Sequence, residues 1–176
     1  MLSGQSAIAA AGQAPASLVE HLRGLAQQRP DDIWLTVAAV QDGRVVERSH
    51  SYGEFDCRVR ALAARLQQLC PVGARALVMM DNDEHYAASM LACFYAGVIA
   101  VPVPPLESLR VQHLERLLGI VGDADAACVI STAAVMQALP GADVRFAGIA
   151  AVAADQVDLA DAGAWRPHAP AADDIA

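Results

Sequence analysis

The chain contains no lysine, and all twelve of its basic residues are arginine in a sequence of 176 residues. Coding bias in the gene is the simplest explanation, because many surface positions that need only a positive charge accept either residue. The chemical consequence holds whatever the cause. Without lysine the chain offers no Schiff base, no Walker-type phosphate lysine and no lysine that would steady a transferring acyl phosphate.

Basic charge and aromatic side chains are also scarce. The net charge is −8, the pI is about 4.9, and aromatic residues make up 5% of the sequence. Nucleic acids and anionic membranes both bind clustered Lys and Arg, so an acidic chain argues against either partner. Hydrophobic residues nevertheless reach 55%, which is enough for the core of one compact domain built from Ala, Val and Leu.

The cysteine spacing excludes the common redox and zinc motifs. The four cysteines are Cys57, Cys70, Cys93 and Cys128, and no two of them form a Cys-x-x-Cys pair. Most lie among apolar neighbours. We therefore predict reduced, buried thiols that behave as small hydrophobic residues in a cytoplasmic protein, and no metal site.

Two segments are distinguished from targeting signals. Residues 1–16 lack the basic start and long apolar core of a secretory signal, and we interpret them as a flexible leader. Residues 86–106 carry no charge over a length that would cross a membrane. Gly97 and three prolines interrupt that run, however, so a helix followed by a strand is predicted instead of a membrane span.

The first part of the chain predicts a helix followed by a hairpin. Ser17 and Glu20 form a capping-box pattern at the start of the helix. Residues 33–40 are apolar and β-branched, residues 42–43 are an Asp-Gly turn signal, and residues 44–50 read as the return strand. This combination predicts an antiparallel β-hairpin.

A second capping box, Ser51 with Glu54, opens the next predicted helix. Apolar residues follow at spacings of four, three, four and three, which is typical of an amphipathic helix that packs on a sheet. They are Phe55, Val59, Leu62, Leu66 and Leu69. Pro71 and Gly73 end the helix.

Beyond residue 75, short apolar runs alternate with helical periodicity. The predicted strands are 76–80, 98–101, 127–130 and 144–149, and the predicted helices are 83–96, 109–121 and 133–139. Three strand–helix–strand units predict an α/β fold with a mainly parallel sheet and helices on both faces. We assign residues 17–150 to this α/β subdomain and residues 151–176 to an extended, partly ordered tail.

Four polar residues follow the predicted strand 76–80: Asp81, Asp83, Glu84 and His85. Open α/β sheets bind ligands at the C-terminal ends of their strands, so a cation or acid–base site is one interpretation. The alternative is a helix N-terminus capped by Asp81 or Asn82, with acidic residues favoured by the helix dipole. Capping accounts for all these residue types, and we favour it.

The remaining candidates also have structural explanations. Ser131 is a candidate nucleophile after a buried strand, but the turn lacks the glycines of a nucleophile elbow, and capping by Ser131 or Thr132 is favoured. No Gly-x-Gly-x-x-Gly or Walker loop is present. The five histidines show no ligand spacing, and two of them, His21 and His113, are interpreted as solvated; the others are His50, His85 and His168. The residues alone therefore assign no catalytic, cofactor-binding or metal position.

Six segments share their order and spacing with a known family. They are residues 17–22, 51–56, 60–66, 73–78, 95–105 and 122–132. Together they resemble the N-terminal region of adenylate-forming enzymes. The proline-rich exit, Pro102-Val103-Pro104-Pro105, is similar to the fatty acyl-AMP ligase branch. This resemblance implies that the chain is part of the large N-terminal domain of such enzymes.

The resemblance also implies a reaction. Fatty acyl-AMP ligases use ATP and Mg²⁺ to convert a fatty acid to an acyl-adenylate, and then transfer the acyl group to the phosphopantetheine thiol of an acyl carrier protein, often at the start of a polyketide or peptide assembly line. In the family a Ser/Thr/Gly-rich phosphate loop follows an Asp-Asp-Ile-Ala-like stretch, and here residues 173–176 read Asp-Asp-Ile-Ala. We therefore expect the chain to stop before that loop.

Three expectations follow for the chain by itself. It neither adenylates fatty acids nor binds ATP tightly, and none of the family's functional residues has a matching position in it. Apolar surface that another part of the enzyme would cover makes it self-associate. Two alternatives stay open: a parent acyl-CoA ligase or amino-acid adenylation domain, and a standalone, non-catalytic binding module that docks a carrier protein.

Overall fold

The computed structural model describes residues 17–104, 111–138 and 149–168. These residues form an α/β fold in which an antiparallel hairpin accompanies a parallel sheet of four strands. The predicted fold class is thereby confirmed. The predicted leader, residues 1–16, and the end of the predicted tail, residues 169–176, lie outside the described residues.

The N-terminal helix and hairpin form as their local signals predict. Helix α1 (Leu18–Gln28) begins after Ser17, whose side chain accepts a 3.1 Å hydrogen bond from the backbone N–H of Glu20. Strands β1 (Ile33–Gln41) and β2 (Arg44–Ser51) pair antiparallel. The turn residues Asp42 and Gly43 have φ values of 51° and 74°, as a two-residue hairpin turn requires.

Helix α2 (Tyr52–Leu69) carries the second capping box in full. The Ser51 hydroxyl accepts from the Glu54 N–H at 3.3 Å, and the Glu54 carboxylate accepts from the Ser51 N–H at 3.1 Å. The predicted apolar stripe faces the core. Its members Phe55, Val59, Leu62 and Leu66 are buried, and Leu69 is partly buried.

The parallel sheet has the spatial order β4-β3-β5-β6. Its strands are β3 (Arg75–Met79), β4 (Ile99–Val103), β5 (Ala126–Ser131) and β6 (Ala150–Ala153). The helices between them are α3 (Glu84–Ala96), α4 (Val111–Ala124) and α5 (Ala133–Ala138). Residues 144–148 of the last predicted strand lie outside the described residues, and the strand that pairs with β5 begins at Ala150.

The sheet separates two cores because successive strand residues point to opposite faces. On β3, Ala76 and Val78 pack with the face that carries α2 and α3, whereas Leu77 and Met79 pack with the face that carries α4. Helices therefore cover both faces, as predicted.

The segment after β6 is more regular than the predicted extended tail. A 3-10 helix (Leu159–Ala164) follows, and it packs against α2. Its Ala- and Asp-rich sequence has no apolar periodicity; the Asp158 side chain caps its start by accepting from the Ala160 N–H at 2.9 Å, and tertiary contacts hold it against α2. Trp165, directly after it, packs on the core.

The apolar run at residues 86–106 divides as predicted. Helix α3 ends at Gly97, which adopts the left-handed conformation at φ 70°, and β4 begins two residues later. Within the described ranges, no helix has the length and apolarity needed to span a membrane.

Candidate functional site

The C-terminal edge of the parallel sheet brings most of the candidate residues together. Asp81, Asp83 and Glu84 follow β3, while Ser131 and Thr132 lie at the end of its neighbour β5. This is the edge at which open α/β sheets bind ligands. The partners of each side chain decide what it does there.

Asp83 is the N-cap of α3. Its Oδ1 atom accepts hydrogen bonds from the backbone N–H groups of His85 at 2.9 Å and Tyr86 at 3.0 Å. The prediction that Asp81 or Asn82 caps this helix is therefore wrong, because the first helical residue is Glu84 and the cap must immediately precede it. The favoured interpretation, that an acidic residue caps this helix, is correct for Asp83.

Glu84 joins the hairpin to the sheet. Its carboxylate is 4% exposed and lies 3.0 Å from the guanidinium of Arg48 on β2. The guanidinium occupies this buried carboxylate as a hydrogen-bond acceptor. It positions β2 against the start of α3. Sequence patterns missed this pair because its members belong to different elements.

Ser131 and Thr132 also hold the scaffold together. Ser131 is fully buried and its hydroxyl donates to the backbone carbonyl of Met79, which ties β5 to β3. The Thr132 hydroxyl accepts from the Val135 N–H at 3.4 Å, and the Asp155 carboxylate accepts from the Ala133 N–H at 2.8 Å. Because the Ser131 hydroxyl is buried and donates to a backbone carbonyl, its position favours a structural role over that of a nucleophile.

Histidines do not form a ligand set. Among residues 17–104, 111–138 and 149–168, no group of three or more His, Cys, Asp or Glu is placed to hold a metal ion. His21 is exposed, as predicted, and the side chain of His113 lies outside the described residues. His50 Nε2 and His85 Nδ1 are buried and lack a hydrogen-bond partner in the described part of the chain.

A polar cluster missed by the sequence analysis lies inside the fold, where α1, α2 and α3 meet. Asp56 on α2 is 7% exposed. Its carboxylate accepts from Arg23 Nη1 at 2.5 Å, from Arg60 Nε at 2.8 Å and from the Tyr95 hydroxyl at 3.2 Å. One sequence signal could have revealed this cluster: Asp56 lies beside the apolar stripe of α2, and Arg60 follows it four residues later.

The same cluster fastens the C-terminal segment. Arg60 Nη1 donates to the Ala162 carbonyl at 2.9 Å, and Trp165 Nε1 donates to the Tyr95 carbonyl at 2.9 Å. The Arg23 guanidinium lies 5.3 Å from the centre of the Trp165 ring. Burial, followed by the charge of Asp56, raises the pKa of Tyr95, so its hydroxyl remains a donor at neutral pH. We call these five residues, Arg23, Asp56, Arg60, Tyr95 and Trp165, the Asp56 cluster.

An open cavity of about 540 Å³ lies beside the C-terminal turn of α2. The Gln67 side chain forms one wall, because it donates to the Arg166 carbonyl at 2.7 Å and accepts from the Arg166 N–H at 3.1 Å. Cys70, Val72 and Ala96 also line the cavity.

The chain is similar in sequence to AMP-binding enzymes and to fatty-acid ligases. The sequence profile of the family described as AMP-binding enzyme matches residues 23–176. A medium-chain-fatty-acid–[acyl-carrier-protein] ligase of Moorena producens is 36% identical over 93 residues, covering 52% of this chain and 16% of that protein. A long-chain-fatty-acid–AMP ligase of Mycobacterium marinum is 31% identical over 119 residues, covering 66% of this chain and 18% of that protein.

Comparison of the structure with solved structures also finds a fatty acid ligase. A fatty acid AMP ligase from Legionella pneumophila superposes with a TM-score of 0.79 at 26% sequence identity, covering 90% of this chain and 27% of that structure. The chain therefore spans less than a third of each of these proteins.

Proposed function

Because this chain belongs to the AMP-binding enzyme family, we propose that it forms the N-terminal part of a fatty acyl-AMP ligase. In the proposed reaction a fatty acid carboxylate attacks the α-phosphorus of ATP, and pyrophosphate leaves. The phosphopantetheine thiol of an acyl carrier protein then attacks the acyl carbonyl, and AMP leaves. The proposed location is the cytoplasm, where ATP is available.

The observation that carries this proposal is the likeness to the Legionella fatty acid AMP ligase over 90% of the chain. The superposition has a TM-score of 0.79. The carrier-protein ligase of Moorena producens supports the second half of the reaction.

We assign the chain itself a scaffold role, with residues 17–150 as the α/β subdomain. Within the described residues, no group of three or more His, Cys, Asp or Glu is placed to hold a metal ion. The sequence also lacks lysine and a glycine-rich phosphate loop. No step of the reaction is therefore assigned to a residue of this chain, whose polar groups at the sheet edge hold β2, α3 and α5 in place.

The test has two arms. The purified chain is incubated with ATP, Mg²⁺ and a saturated fatty acid, and pyrophosphate is measured; we expect none above the protein-free background. Clear pyrophosphate release would refute the scaffold role.

In the second arm the codons after Ala176 are read. A Ser/Thr/Gly-rich loop ending in Pro-Lys-Gly would support the proposal, and a stop codon would favour a standalone binding module. If the loop is present, the longer gene product is assayed with fatty acid, ATP and either a holo acyl carrier protein or coenzyme A. Transfer to the carrier protein supports the ligase assignment, whereas transfer to coenzyme A alone would place the protein in the acyl-CoA ligase branch.

A further inference from the structure

The open cavity beside the C-terminal turn of α2 lies at the N-terminal edge of the parallel sheet. Pro71 and Val72 belong to the loop that leads into β3, and Ala96 is the last residue of α3, shortly before β4 begins. Open α/β sheets bind their ligands at the opposite, C-terminal edge of the strands. The cavity is therefore separate from the sheet edge that carries Asp83 and Ser131.

Hydrogen bonds on two sides fix the walls of the cavity. On one side, the Gly73 N–H donates to the Gly97 carbonyl at 2.7 Å, which ties the loop of Val72 to the end of α3. On the other side, the Gln67 side chain forms two hydrogen bonds with the backbone of Arg166. The cavity is thus formed before any ligand arrives, and its volume of about 540 Å³ is within the size range of small-molecule sites.

The lining combines an apolar surface with hydrogen-bond donors. Its apolar members are Ala64, Pro71, Val72, Ala96 and Ala164. Gln68 and Arg166 add polar groups, and no Asp or Glu lines the cavity in the described part of the chain. The Gln68 carbonyl oxygen accepts from Arg65 Nη1 at 2.9 Å, so the NH2 group of Gln68 is the part that can donate to a ligand.

Arg166 supplies the positive charge of this wall. It is exposed, and within residues 17–104, 111–138 and 149–168 its guanidinium forms no ion pair. A guanidinium matches the two oxygens of a carboxylate in a bidentate hydrogen bond. In a chain with a net charge of −8, an arginine without an ionic partner beside an apolar surface favours an anionic ligand.

We propose that this cavity binds a small organic carboxylate with an alkyl body. The alkyl part packs on the alanines, Pro71 and Val72, because this removes apolar surface from water. The carboxylate accepts from the Arg166 guanidinium and from the NH2 group of Gln68. The site requires neither ATP nor Mg²⁺ and lies at the other edge of the sheet, so it stands independently of the ligase proposal.

Calorimetric titration of the intact chain with sodium octanoate, in the absence of ATP, measures this binding. Octanamide is the matched ligand, since it has the same alkyl body but no charge. We expect saturable binding of octanoate and about tenfold weaker binding of octanamide, because only the anion forms a charged hydrogen bond with Arg166. Equal binding of the two ligands would overturn the proposal.

Variants test the two parts of the site. Arg166→Gln should weaken octanoate binding about tenfold. Arg44→Gln is the matched control, because Arg44 is equally exposed but does not line the cavity, and it should bind octanoate as the wild type does. Ala164→Trp should fill the cavity and abolish binding, and the exposed position of Ala164 lets the larger side chain fit without disturbing the core. Circular dichroism checks that each variant is folded.

Cys70 reports occupancy of the cavity directly, because it lies on the wall. The folded chain is treated briefly with iodoacetamide, with and without octanoate, and is then digested with trypsin, which cleaves only after arginine in this lysine-free chain. Cys70 falls in peptide 66–75, and Cys57, which does not line the cavity, falls in peptide 49–58. We expect octanoate to slow alkylation of peptide 66–75 and to leave alkylation of peptide 49–58 unchanged.

Other results would overturn the proposal. Octanoate binding that survives in both Arg166→Gln and Ala164→Trp would place the ligand elsewhere on the chain. An equal loss in Arg44→Gln would mean that octanoate responds to net charge and not to this cavity. If Cys70 is not alkylated in the free protein, small molecules do not enter the cavity, and alkylation that octanoate does not slow would show that the cavity stays empty.

Discussion

Arg60 holds Asp56 with one nitrogen and the C-terminal segment with another. Its Nε donates to the Asp56 carboxylate at 2.8 Å, one turn earlier on α2, and its Nη1 donates to the Ala162 carbonyl at 2.9 Å. The buried carboxylate thereby fixes the side chain that anchors the 3-10 helix. Helix packing and docking of the C-terminal segment are consequently linked through one ionic contact.

Replacing Asp56 tests this link. In Asp56→Asn, Arg23 and Arg60 lose the negative charge that compensates them in a largely buried site, so we expect the free energy of unfolding to fall by about 3 kcal/mol. Urea unfolding followed by circular dichroism measures the change. Hydrogen exchange should also increase at residues 159–166.

Asp32→Asn is the control. Asp32 pairs with Arg29 at 2.6 Å, but both side chains are more than half exposed, so the change should be no more than about 0.5 kcal/mol. Equal losses of unfolding free energy in the two variants would show that burial of Asp56 does not increase the cost of removing its charge.

Gly97 is expected to resist substitution for two reasons. Its φ of 70° is unfavourable for alanine, and a Cβ there would lie 2.7 Å from the His168 ring. Gly97→Ala should lower the free energy of unfolding by about 2 kcal/mol. Thermal or urea unfolding measures this loss.

Gly119 provides the comparison for Gly97. It lies within α4 with open space around its Cβ position, so Gly119→Ala should raise the free energy of unfolding by about 0.5–1 kcal/mol. A loss of stability in both variants would contradict the conformational argument.

The capping box of α2 predicts a pH dependence. Hydrogen bonds from the Ser51 backbone N–H, and then from its side chain, hold the pKa of Glu54 below its ordinary value of 4.5. A lowered folded-state pKa adds stability above the unfolded pKa, and that stability is lost as the pH falls through the folded pKa. Glu54→Gln removes this titration.

The difference in unfolding free energy between the wild type and Glu54→Gln should therefore shrink on acidification from about pH 6 to about pH 3, the range in which carboxyl groups titrate. Urea unfolding at a series of pH values measures it. A difference that stays constant would mean that the capping bonds do not distinguish the two charge states.

Self-association is expected from the hairpin. β1 and β2 pair only with each other in the described residues, and Val40 and Val45 form a cross-strand pair that is 75% and 68% exposed. Open strand edges with apolar side chains favour pairing between chains. Light scattering should show a mass above that of the monomer.

Val45→Lys should shift the chain toward the monomer, because a charge on an exposed edge opposes strand pairing. Val72→Lys is the matched control, since Val72 is 65% exposed but lies in a loop beyond the hairpin. A wild type that stays monomeric at high concentration would refute the prediction.

Local signals were read correctly wherever a few neighbouring residues decide the outcome. Ser51 and Glu54 satisfy each other's backbone groups, and Asp42 and Gly43 form their turn whatever surrounds them. The cap of α3 was misplaced because Asp81, Asn82 and Asp83 are all favourable capping residues, and it is Asp83 whose side chain accepts from the first-turn N–H groups. The segment after β6 escaped prediction because its order comes from Trp165 and Ala162 binding distant residues.

The sequence by itself determined the α/β class, the hairpin and the order of helices and strands, because periodicity, capping and turn chemistry act over a few residues. The order and spacing of six segments carried the resemblance to adenylate-forming enzymes. The tertiary structure decided what the polar and sulfur groups do. Asp56, Glu84 and Ser131 are engaged by partners from other elements, and Cys70, Cys93 and Cys128 are buried in one core although they are far apart in the sequence. Such contacts depend on how the chain packs, and short-range sequence patterns carry no information about them.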